Sequence, residues 1–208
     1  MTRLPRLAVL LSGGGSTLQN LLDRIADGRL HARVALVVAS RADAFGLERA
    51  RRAGIPAVTV ARRTFPASGA FNDALHAALA PHAPDLVVLA GFLSLFEPRA
   101  YAGRVMNVHP ALIPAFCGPG FYGRRVHAAV LAAGAKVSGC TVHFADEQYD
   151  HGPIILQGCV PVLDDDTVDT LAARVQGLEC ELYPRAIQLW GEDRLRVEGQ
   201  RVRVLPPR

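Results

Sequence analysis

The fold of this chain is decided by the stretch Leu7-Ala-Val-Leu-Leu-Ser-Gly-Gly-Gly-Ser-Thr-Leu-Gln-Asn-Leu-Leu22. Its apolar run at residues 7–11 predicts a strand that is buried on both faces, as in a parallel sheet. The leucines after the glycines recur at helical spacing, and we expect Ser16 or Thr17 to cap that helix. Free backbone N–H groups and the helix dipole favour phosphate at such a loop, which predicts an anion-binding site.

The glycine loop at residues 12–16 also narrows the kind of phosphate. A P-loop requires a lysine before its Ser or Thr, and this loop has none. A dinucleotide fingerprint requires G-x-G-x-x-G; Gly13 and Gly15 match it, but Leu18 stands at the third glycine position. The loop therefore favours a single phosphomonoester over ATP or a dinucleotide. The alternative is a glycine turn without a ligand.

Strand and helix patterns alternate through the first half of the chain. Further strands are predicted at residues 31–39, 56–60 and 85–90. Helices are predicted at residues 43–53 and from Ser68, which is expected to cap its helix. This alternation predicts a Rossmann-like, three-layer α/β/α fold with a mostly parallel sheet and helices on both faces.

The second half has a different pattern. Strands at residues 138–144 and 153–162 are expected to form an antiparallel pair, the first of them exposed on one face. Thr167 is expected to cap a helix that runs to about Trp190, and the aspartates before it favour a structural role at the helix N-terminus over a metal site. Residues 194–204 predict a terminal hairpin.

The segment Val105-Met-Asn-Val-His-Pro110 is predicted to be the fifth strand and to end at Pro110, which cannot donate a ladder hydrogen bond. Side chains alternate along a strand, so Asn107 and His109 should share one face, with Cα atoms roughly 6.6 Å apart. The carboxyl ends of strands are where open α/β sheets bind ligands. The pair could hold a small reacting group; the plainer alternative is a strand-end Asn and a hydrogen-bonded His.

Composition limits the class of protein. The chain has 208 residues, half of them hydrophobic, and no apolar run of the roughly 20 residues that a membrane helix needs. Four scattered cysteines favour reduced thiols, and the lack of a signal peptide predicts a cytoplasmic protein. The net charge of +4 allows nucleic-acid binding, but a solvated basic surface that attracts anionic small molecules is the favoured interpretation.

Several motifs together resemble a known family. They are Asn107-Val-His-Pro-Ala-Leu-Ile-Pro114, Ser138-Gly-Cys-Thr-Val-His143 and Tyr149-Asp-His-Gly-Pro-Ile-Ile-Leu-Gln157, with Ser12-Gly-Gly-Gly-Ser-Thr-Leu-Gln19, Ala42-Asp-Ala-Phe-Gly-Leu-Glu-Arg-Ala50, Ala173-Arg-Val-Gln176, Glu179 and Tyr183-Pro184. From Leu7 to Trp190 the chain resembles the folate-dependent formyltransferases, above all the branch that acts on glycinamide ribonucleotide in purine synthesis. The resemblance implies the formyltransferase fold in a single domain at residues 1–208. Its parts would be a phosphate-binding half at 1–100, a catalytic and folate-binding half at 101–190 and a hairpin tail at 191–208.

The resemblance also implies a reaction and three catalytic residues. A formyl group would move from N10 of 10-formyltetrahydrofolate to the amine of the ribonucleotide, with catalytic residues at Asn107, His109 and Asp150. The Asn107 amide and a protonated His109 are expected to donate to the developing oxyanion. Asp150 is expected to sustain the imidazolium and to pass a proton, through water, towards the leaving nitrogen. Neither a metal ion nor a covalent nucleophile is expected.

Binding residues follow from the same resemblance. The ribonucleotide is expected at Gly15, Ser16, Thr17, Gln176 and Glu179. The folate is expected at Leu93, Ser94, Leu95, Phe96, Asn107, Asp146, Glu147, Gln148, Tyr149 and Asp150. Some relatives have arginines at the positions of Ser68 and Ser94, where they are expected to help bind the folate and its glutamate tail. Because this chain has serine at both positions, Arg62, Arg63 or Arg99 are the candidates to replace them. His143 is interpreted as a strand residue and His151 as an exposed turn residue.

Other functions are weighed against this one. Methionyl-tRNA formyltransferase and formyltetrahydrofolate hydrolase resemble the core but carry an extra domain, for which this chain is expected to leave no room. A non-catalytic nucleotide-phosphate sensor is the alternative from another class, and it would not need Asn107, His109 and Asp150 together. The expected partners are the two small substrates, without nucleic acid or membrane, and the expected assembly is a monomer or homodimer.

Overall fold

The computed structural model describes residues 4–207. The chain divides into two compact units after Met106. Strand β5, Val105–His109, leads from the first unit into the second. The expectation of one domain with boundaries near residues 100 and 190 stays a prediction.

The first unit alternates strands and helices, as its apolar pattern predicts. Its strands are parallel and lie in the order β3-β2-β1-β4. Short 3₁₀ turns at Arg62–Thr64, Ala80–His82 and Arg99–Tyr101 join the longer elements. Those elements are β1 (Arg6–Leu11), α1 (Ser16–Ala26), β2 (Arg33–Ala39), α2 (Gly46–Arg52), β3 (Ala57–Thr59), α3 (Ser68–Leu79) and β4 (Leu86–Leu89).

Burial explains why these elements form. Strand β4 is buried along its whole length, and β1 is buried from Leu7 onward, which suits the central strands of a sheet covered on both faces. Helix α3 buries Phe71, Leu75 and Leu79 completely, and each such side chain contributes about 1.5–3 kcal/mol of transfer free energy.

Two predicted helix caps are wrong. Helix α1 is preceded by Gly15 rather than capped by Ser16 or Thr17, and helix α3 by Ala67 rather than Ser68. No side-chain cap bond is made at either start. At α1 the reason is conformational, because Gly15 has a φ of +71° that brings the chain into the helix in a left-handed conformation.

The second unit is built around an antiparallel pair, as predicted. Strand β6 (Val137–Phe144) pairs with β7 (Ile154–Pro161), and the terminal hairpin of β8 (Leu195–Glu198) and β9 (Arg201–Val204) joins through a parallel β7–β9 contact. Two helices, α4 (Arg124–Ala132) and α5 (Val168–Gly191), pack together, and α5 also packs on β6 and β7. The α/β fold class with an antiparallel C-terminal part is therefore confirmed.

Strand β6 corrects one expectation. Its residues are buried from Ser138 to Phe144, so it is not exposed on one face. Helix α5 packs against it, and the segment after β5 bonds to it through Thr141. The Thr141 Oγ1 accepts from the Ile113 N–H at 3.0 Å and donates to the Ala111 carbonyl at 2.7 Å.

The start of α5 confirms two further expectations. Thr167 caps the helix and forms a capping box with Thr170. Asp166 accepts bonds from Arg174 and Thr170, which holds its pKa well below its usual value, and Asp164 pairs with Lys136. The aspartate run thus has a structural role. Within residues 4–207 the four cysteines form no disulfide bond, and no helix there is long and apolar enough to cross a membrane.

Candidate active site

The glycine loop joins β1 to α1. A Cβ atom on Gly15 would lie 2.7 Å from the Cα of Gly46, so this position requires glycine for space as well as for its φ angle. The Gly46 N–H donates to the Gly13 carbonyl at 3.1 Å, which ties the loop to α2. The first turn of α1 carries neither a side-chain cap nor an acidic residue. Its N-terminus therefore keeps the positive end of the helix dipole for an anion.

Arg49 adds a positive charge to the same loop. Its Nε donates to the Gly14 carbonyl at 2.9 Å, and its Nη1 donates to Oε1 of Gln19 at 3.0 Å. The guanidinium thus fixes the loop and the first turn of α1 together. Sequence reasoning did not single out Arg49, whose only signal was its place in the motif at residues 42–50.

Asn107 and His109 lie on β5, which ends before Pro110 as predicted. The Asn107 Nδ2 lies 3.1 Å from Nε2 of His143 and 3.4 Å from Oδ1 of Asp150. The second unit therefore brings the three predicted catalytic residues together, and it adds His143 to them.

Both ring nitrogens of His109 face acceptors. Its Nε2 lies 2.8 Å from the carbonyl oxygen of Phe116, and its Nδ1 lies 3.5 Å from Oδ2 of Asp150. Because a carbonyl only accepts, Nε2 carries the proton of the neutral ring. A further proton would enter His109 at Nδ1, facing the carboxylate.

The two residues that supply these acceptors, Phe116 and Asp150, both have an unusual backbone conformation. Phe116 has a φ of +51° and Asp150 a φ of +55°, both in the left-handed region that disfavours residues other than glycine. Such conformations cost about 1–3 kcal/mol each and concentrate at functional sites. The N–H of Gly118 donates to Oδ2 of Asp150 at 2.9 Å. The segment from Phe116 to Gly118 therefore contacts both His109 and Asp150.

Burial and charge oppose each other at this pair. Burial lowers the pKa of His109, and the Asp150 charge and the Phe116 carbonyl raise it without reversing that direction. Burial raises the pKa of Asp150, but a bond from a protonated His143, the charge of a protonated His109 and the Gly118 N–H outweigh it, so the net shift is downward. The protonated His109 of the sequence expectation is therefore not the resting state that this geometry favours.

His143 belongs to the cluster although its sequence pattern gave only a strand residue. It is buried, and its Nδ1 lies 2.8 Å from the Phe144 carbonyl, so Nδ1 carries the proton of the neutral ring. Its Nε2 then accepts from the Asn107 amide. His143 thus fixes which way the amide of Asn107 points. His151, by contrast, is an exposed turn residue bonded to Asp146, as expected.

Comparison with known proteins identifies the family of this chain. The model of the formyl transferase family matches residues 5–187. The chain belongs to the formyl transferase family.

Individual relatives cover almost all of this formyl transferase. It is 39% identical to the phosphoribosylglycinamide formyltransferase of Escherichia coli (strain K12), over 97% of this chain and 96% of the relative. It is 37% identical to the phosphoribosylglycinamide formyltransferase of Haemophilus influenzae, over 93% of this chain and 90% of the relative. The crystal structure of glycinamide ribonucleotide transformylase 1 from Symbiobacterium toebii superposes with a TM-score of 0.92 at 46% identity, over 98% of this chain and 95% of that one.

The expected ribonucleotide residues lie in both units of the formyl transferase. Gly15, Ser16 and Thr17 lie together at the start of α1 in the first unit. In the second, Gln176 is exposed on α5 and Glu179 is half-buried on the same helix. Burial raises the pKa of Glu179 to about 7.

The expected folate residues differ in accessibility. Leu93 is exposed and Ser94 half-buried, but the ring of Phe96 is buried and stacks on His76, so it belongs to the core. In the second unit, Glu147, Gln148 and Tyr149 form an exposed turn between Asp146 and Asp150. Within residues 4–207 no group of three or more His, Cys, Asp or Glu side chains is placed to hold a metal ion.

Proposed function

We propose that this formyl transferase moves the formyl group of 10-formyltetrahydrofolate to the amine of glycinamide ribonucleotide, in purine biosynthesis. The observation that carries the proposal is the cluster of Asn107, His109 and Asp150, in which an amide, an imidazole and a carboxylate lie within hydrogen-bonding or ion-pair reach. Two relatives that this chain matches over 90% or more of their length are named phosphoribosylglycinamide formyltransferase, which supports the same substrate.

We assign the Nε2–H of His109 and the Asn107 amide to the developing oxyanion. Attack by the amine places negative charge on the formyl oxygen, and donors aimed at that oxygen lower the barrier. In the present geometry the Nε2–H bonds to the Phe116 carbonyl. The oxyanion would accept this N–H in place of that carbonyl, because catalytic hydrogen bonds often form only once the substrates are bound.

We assign Asp150 to the proton that must leave the attacking amine. Its pKa is lowered, so the carboxylate is ionised at neutral pH and can accept a proton directly or through water. The proton then passes towards the N10 leaving group, so that the amine loses one proton and N10 gains one. The neighbouring Nδ1 of His109 can share that proton with Oδ2 of Asp150.

The phosphate of the ribonucleotide is assigned to the first turn of α1, at Gly15, Ser16 and Thr17. The uncapped helix N-terminus and the Arg49 guanidinium support this assignment. Gln176 and Glu179 are assigned to its hydroxyls or amine.

The folate is assigned to Leu93, Ser94, Leu95 and Phe96 in the first unit and to Asn107 with residues 146–150 in the second. Phe96 would contribute through its backbone, since its ring lies in the core. A cytoplasmic location, the lack of nucleic-acid and membrane partners, and a monomeric or dimeric state stay predictions from the sequence.

One assay tests the proposal. The purified protein is incubated with 10-formyltetrahydrofolate and glycinamide ribonucleotide, and the formylated ribonucleotide is measured by mass spectrometry. Parallel reactions with water alone and with methionyl-tRNA test the hydrolase and the tRNA enzyme. We expect product only with the ribonucleotide. Release of free formate at the same rate without the ribonucleotide would establish a hydrolase instead.

A further inference from the structure

The terminal hairpin leaves one edge of the sheet without a neighbouring strand. Strand β8 is the last strand in the sheet order and pairs with β9 alone among the described residues. The Leu205 N–H donates to the Arg194 carbonyl at 2.8 Å, so these two residues form a hydrogen-bonded pair of the hairpin. Bonded and non-bonded pairs alternate along an antiparallel ladder, which puts Leu195 and Val197 in non-bonded pairs. Their backbone N–H and C=O groups therefore point away from β9, towards the open edge.

One face of the hairpin carries unbalanced positive charge. Side chains alternate along each strand, so this face presents four exposed residues, Arg196, Glu198, Arg201 and Arg203. The Arg203 Nε lies 2.9 Å from Oε2 of Glu198, which pairs these two charges. Arg196 and Arg201 make no hydrogen bond or ion pair with the rest of residues 4–207. Arg196 also lies directly opposite Arg203, and like charges at such a position are destabilising.

The other face of the hairpin is apolar and only partly covered. Val197 and Val204 are 47% and 44% exposed, and Leu195 and Val202 are half-buried. An added strand beside β8 would therefore have arginines along one face and apolar side chains along the other. Free backbone groups at an exposed edge are the template on which an extended segment of another chain can pair.

A second copy of this chain is a poor match for the edge. Two copies of β8 would use the free backbone groups of both residues when Leu195 of one strand lies opposite Val197 of the other. That antiparallel register brings Arg196 of each copy together at the two-fold axis. Like charges directly opposite each other oppose the pairing. The edge therefore favours a partner that supplies an acidic residue at this position.

We propose that β8 is a docking edge for an extended acidic segment of a partner protein, which adds to the sheet as a further strand. The segment would place an acidic side chain opposite Arg196 and apolar side chains opposite Leu195 and Val197. Its backbone would bond the free N–H and C=O groups of the latter two residues. The edge shares no residue with the sites assigned to the substrates, so this inference goes beyond the proposed function and does not rest on it.

The test uses a peptide that carries only this chemistry. The acetylated and amidated peptide Thr-Val-Glu-Val-Thr, whose side chains read the same in both directions, is titrated into the whole chain at low salt and followed by amide NMR. The same peptide with Lys in place of Glu is the control. We expect the acidic peptide to bind saturably and to slow hydrogen exchange at the Leu195 and Val197 amides. An exposed ion pair changes affinity by up to about fivefold, and a like-charge pair opposes binding by a similar factor, so the lysine peptide should bind about fivefold or more weakly.

Three variants separate the contributions of charge and backbone. Arg196→Glu should weaken the acidic peptide about fivefold or more and favour the lysine peptide, and its new carboxylate lies opposite Arg203, which keeps the hairpin stable. Val197→Pro removes an N–H that points away from β9, so the hairpin should form while the peptide no longer binds. Arg185→Glu is the matched control, because it reverses an exposed arginine on α5 and should bind the peptide like the wild type.

Several outcomes would overturn the proposal. If the wild type binds neither peptide, Arg196 only protects the edge against pairing. Binding without slowed exchange at Leu195 and Val197, or equal binding by Arg196→Glu, would exclude strand addition. A single-stranded oligonucleotide that displaces the peptide and binds more tightly would assign the arginine face to nucleic acid instead. Formyl transfer by Arg196→Glu should equal that of the wild type, and its loss would place the hairpin in the reaction rather than in a docking edge.

Discussion

The Nδ1 atom of His109 lies 3.5 Å from the Oδ2 atom of Asp150, and the two side chains are only 4% and 8% exposed. Away from water their attraction is strong, but burial also penalises the charged imidazole. Burial prevails, so the pKa of His109 is lowered while Asp150 stays ionised. At neutral pH the pair is therefore ready to accept one proton, which the attacking amine would supply.

The first prediction concerns the two donors on β5. His109→Asn and Asn107→Ala should each lower kcat by about 10²–10³, the scale of one lost oxyanion donor. The melting temperature should change little for Asn107→Ala, because Asn107 is only half-buried. Steady-state kinetics with both substrates is the measurement, and His31→Asn in the first unit is the control. Wild-type turnover in either variant would remove that residue from the proposed mechanism.

The second prediction concerns His143, which accepts from the Asn107 amide at 3.1 Å. His143→Ala leaves that amide without its acceptor, and we expect kcat to fall about tenfold, the rate equivalent of about 1.4 kcal/mol. His143→Gln keeps an acceptor at this position and should recover part of the loss. Equal kcat values for the two variants would show that the hydrogen bond to Asn107 has no role in turnover.

The third prediction compares two glycines of the same loop. Gly15→Ala forces a φ of +71° on alanine and brings its Cβ within 2.7 Å of Gly46, whereas a Cβ on Gly13 meets no atom within 4 Å. Gly15→Ala should lose about 1–3 kcal/mol of stability and raise the KM for the ribonucleotide. Gly13→Ala should have the same free energy of unfolding as the wild type. Denaturant melts and substrate kinetics measure both effects, and a folate KM that rises instead would place the phosphate elsewhere.

The fourth prediction concerns the pH dependence of stability through Glu179. Burial raises its pKa from 4.5 to about 7, so between these values the folded chain holds a proton that the unfolded chain releases. Stability from this group is therefore present below pH 4.5 and is lost as pH rises towards 7. The loss amounts to at most about 3 kcal/mol for a group that is half-buried.

Glu179→Gln isolates that contribution. The variant cannot ionise, so it should melt several degrees above the wild type at pH 8 and close to it at pH 5. The KM for the ribonucleotide should rise, since the carboxylate acceptor is lost. Identical melting differences at pH 5 and pH 8 would show that Glu179 is not buried with a raised pKa.

Local patterns predicted much of the fold. The apolar run of β1, the leucine spacing of α1, the stop at Pro110 and the Thr167 cap each depend on neighbouring residues, and each is confirmed. The start of α1 was mispredicted because a left-handed Gly15 supplies the helix entry without a side chain. The burial of β6 was mispredicted because its cover comes from distant segments.

The candidate site was likewise predicted where it depends on neighbouring residues and missed where it depends on distant ones. Asn107 and His109 are two positions apart on one strand, so the alternation of side chains along a strand predicted that both lie on the same face. His143 was interpreted only as a strand residue, because its contact with Asn107 joins residues 36 positions apart. The Phe116 carbonyl that contacts His109 leaves no trace in the side-chain pattern, because every residue has a backbone carbonyl. Its contact with His109 depends on the left-handed conformation of Phe116, which the sequence does not reveal.

The last prediction separates an enzyme from a phosphate sensor through Asp150. Asp150→Asn keeps the shape of the side chain but removes the charge 3.5 Å from Nδ1 of His109. That charge raises the pKa of His109 against the effect of burial, so in the variant the pKa should fall further below 6.5. The measurement is an NMR titration of His109 in both proteins. Asp164→Asn removes the same charge from an exposed aspartate of the second unit and should leave the titration unchanged.

Turnover gives the second half of this test. In the proposed mechanism the Asp150 carboxylate takes up its proton only as the reaction proceeds, so Asp150→Asn should lower kcat far more than it weakens either ligand. A sensor would show the reverse, with altered affinity and no turnover to lose. An unchanged His109 titration would remove the electrostatic role of Asp150. An unchanged kcat would remove the proton transfer as well, and the left-handed φ of +55° at Asp150 would then be a feature of the turn alone.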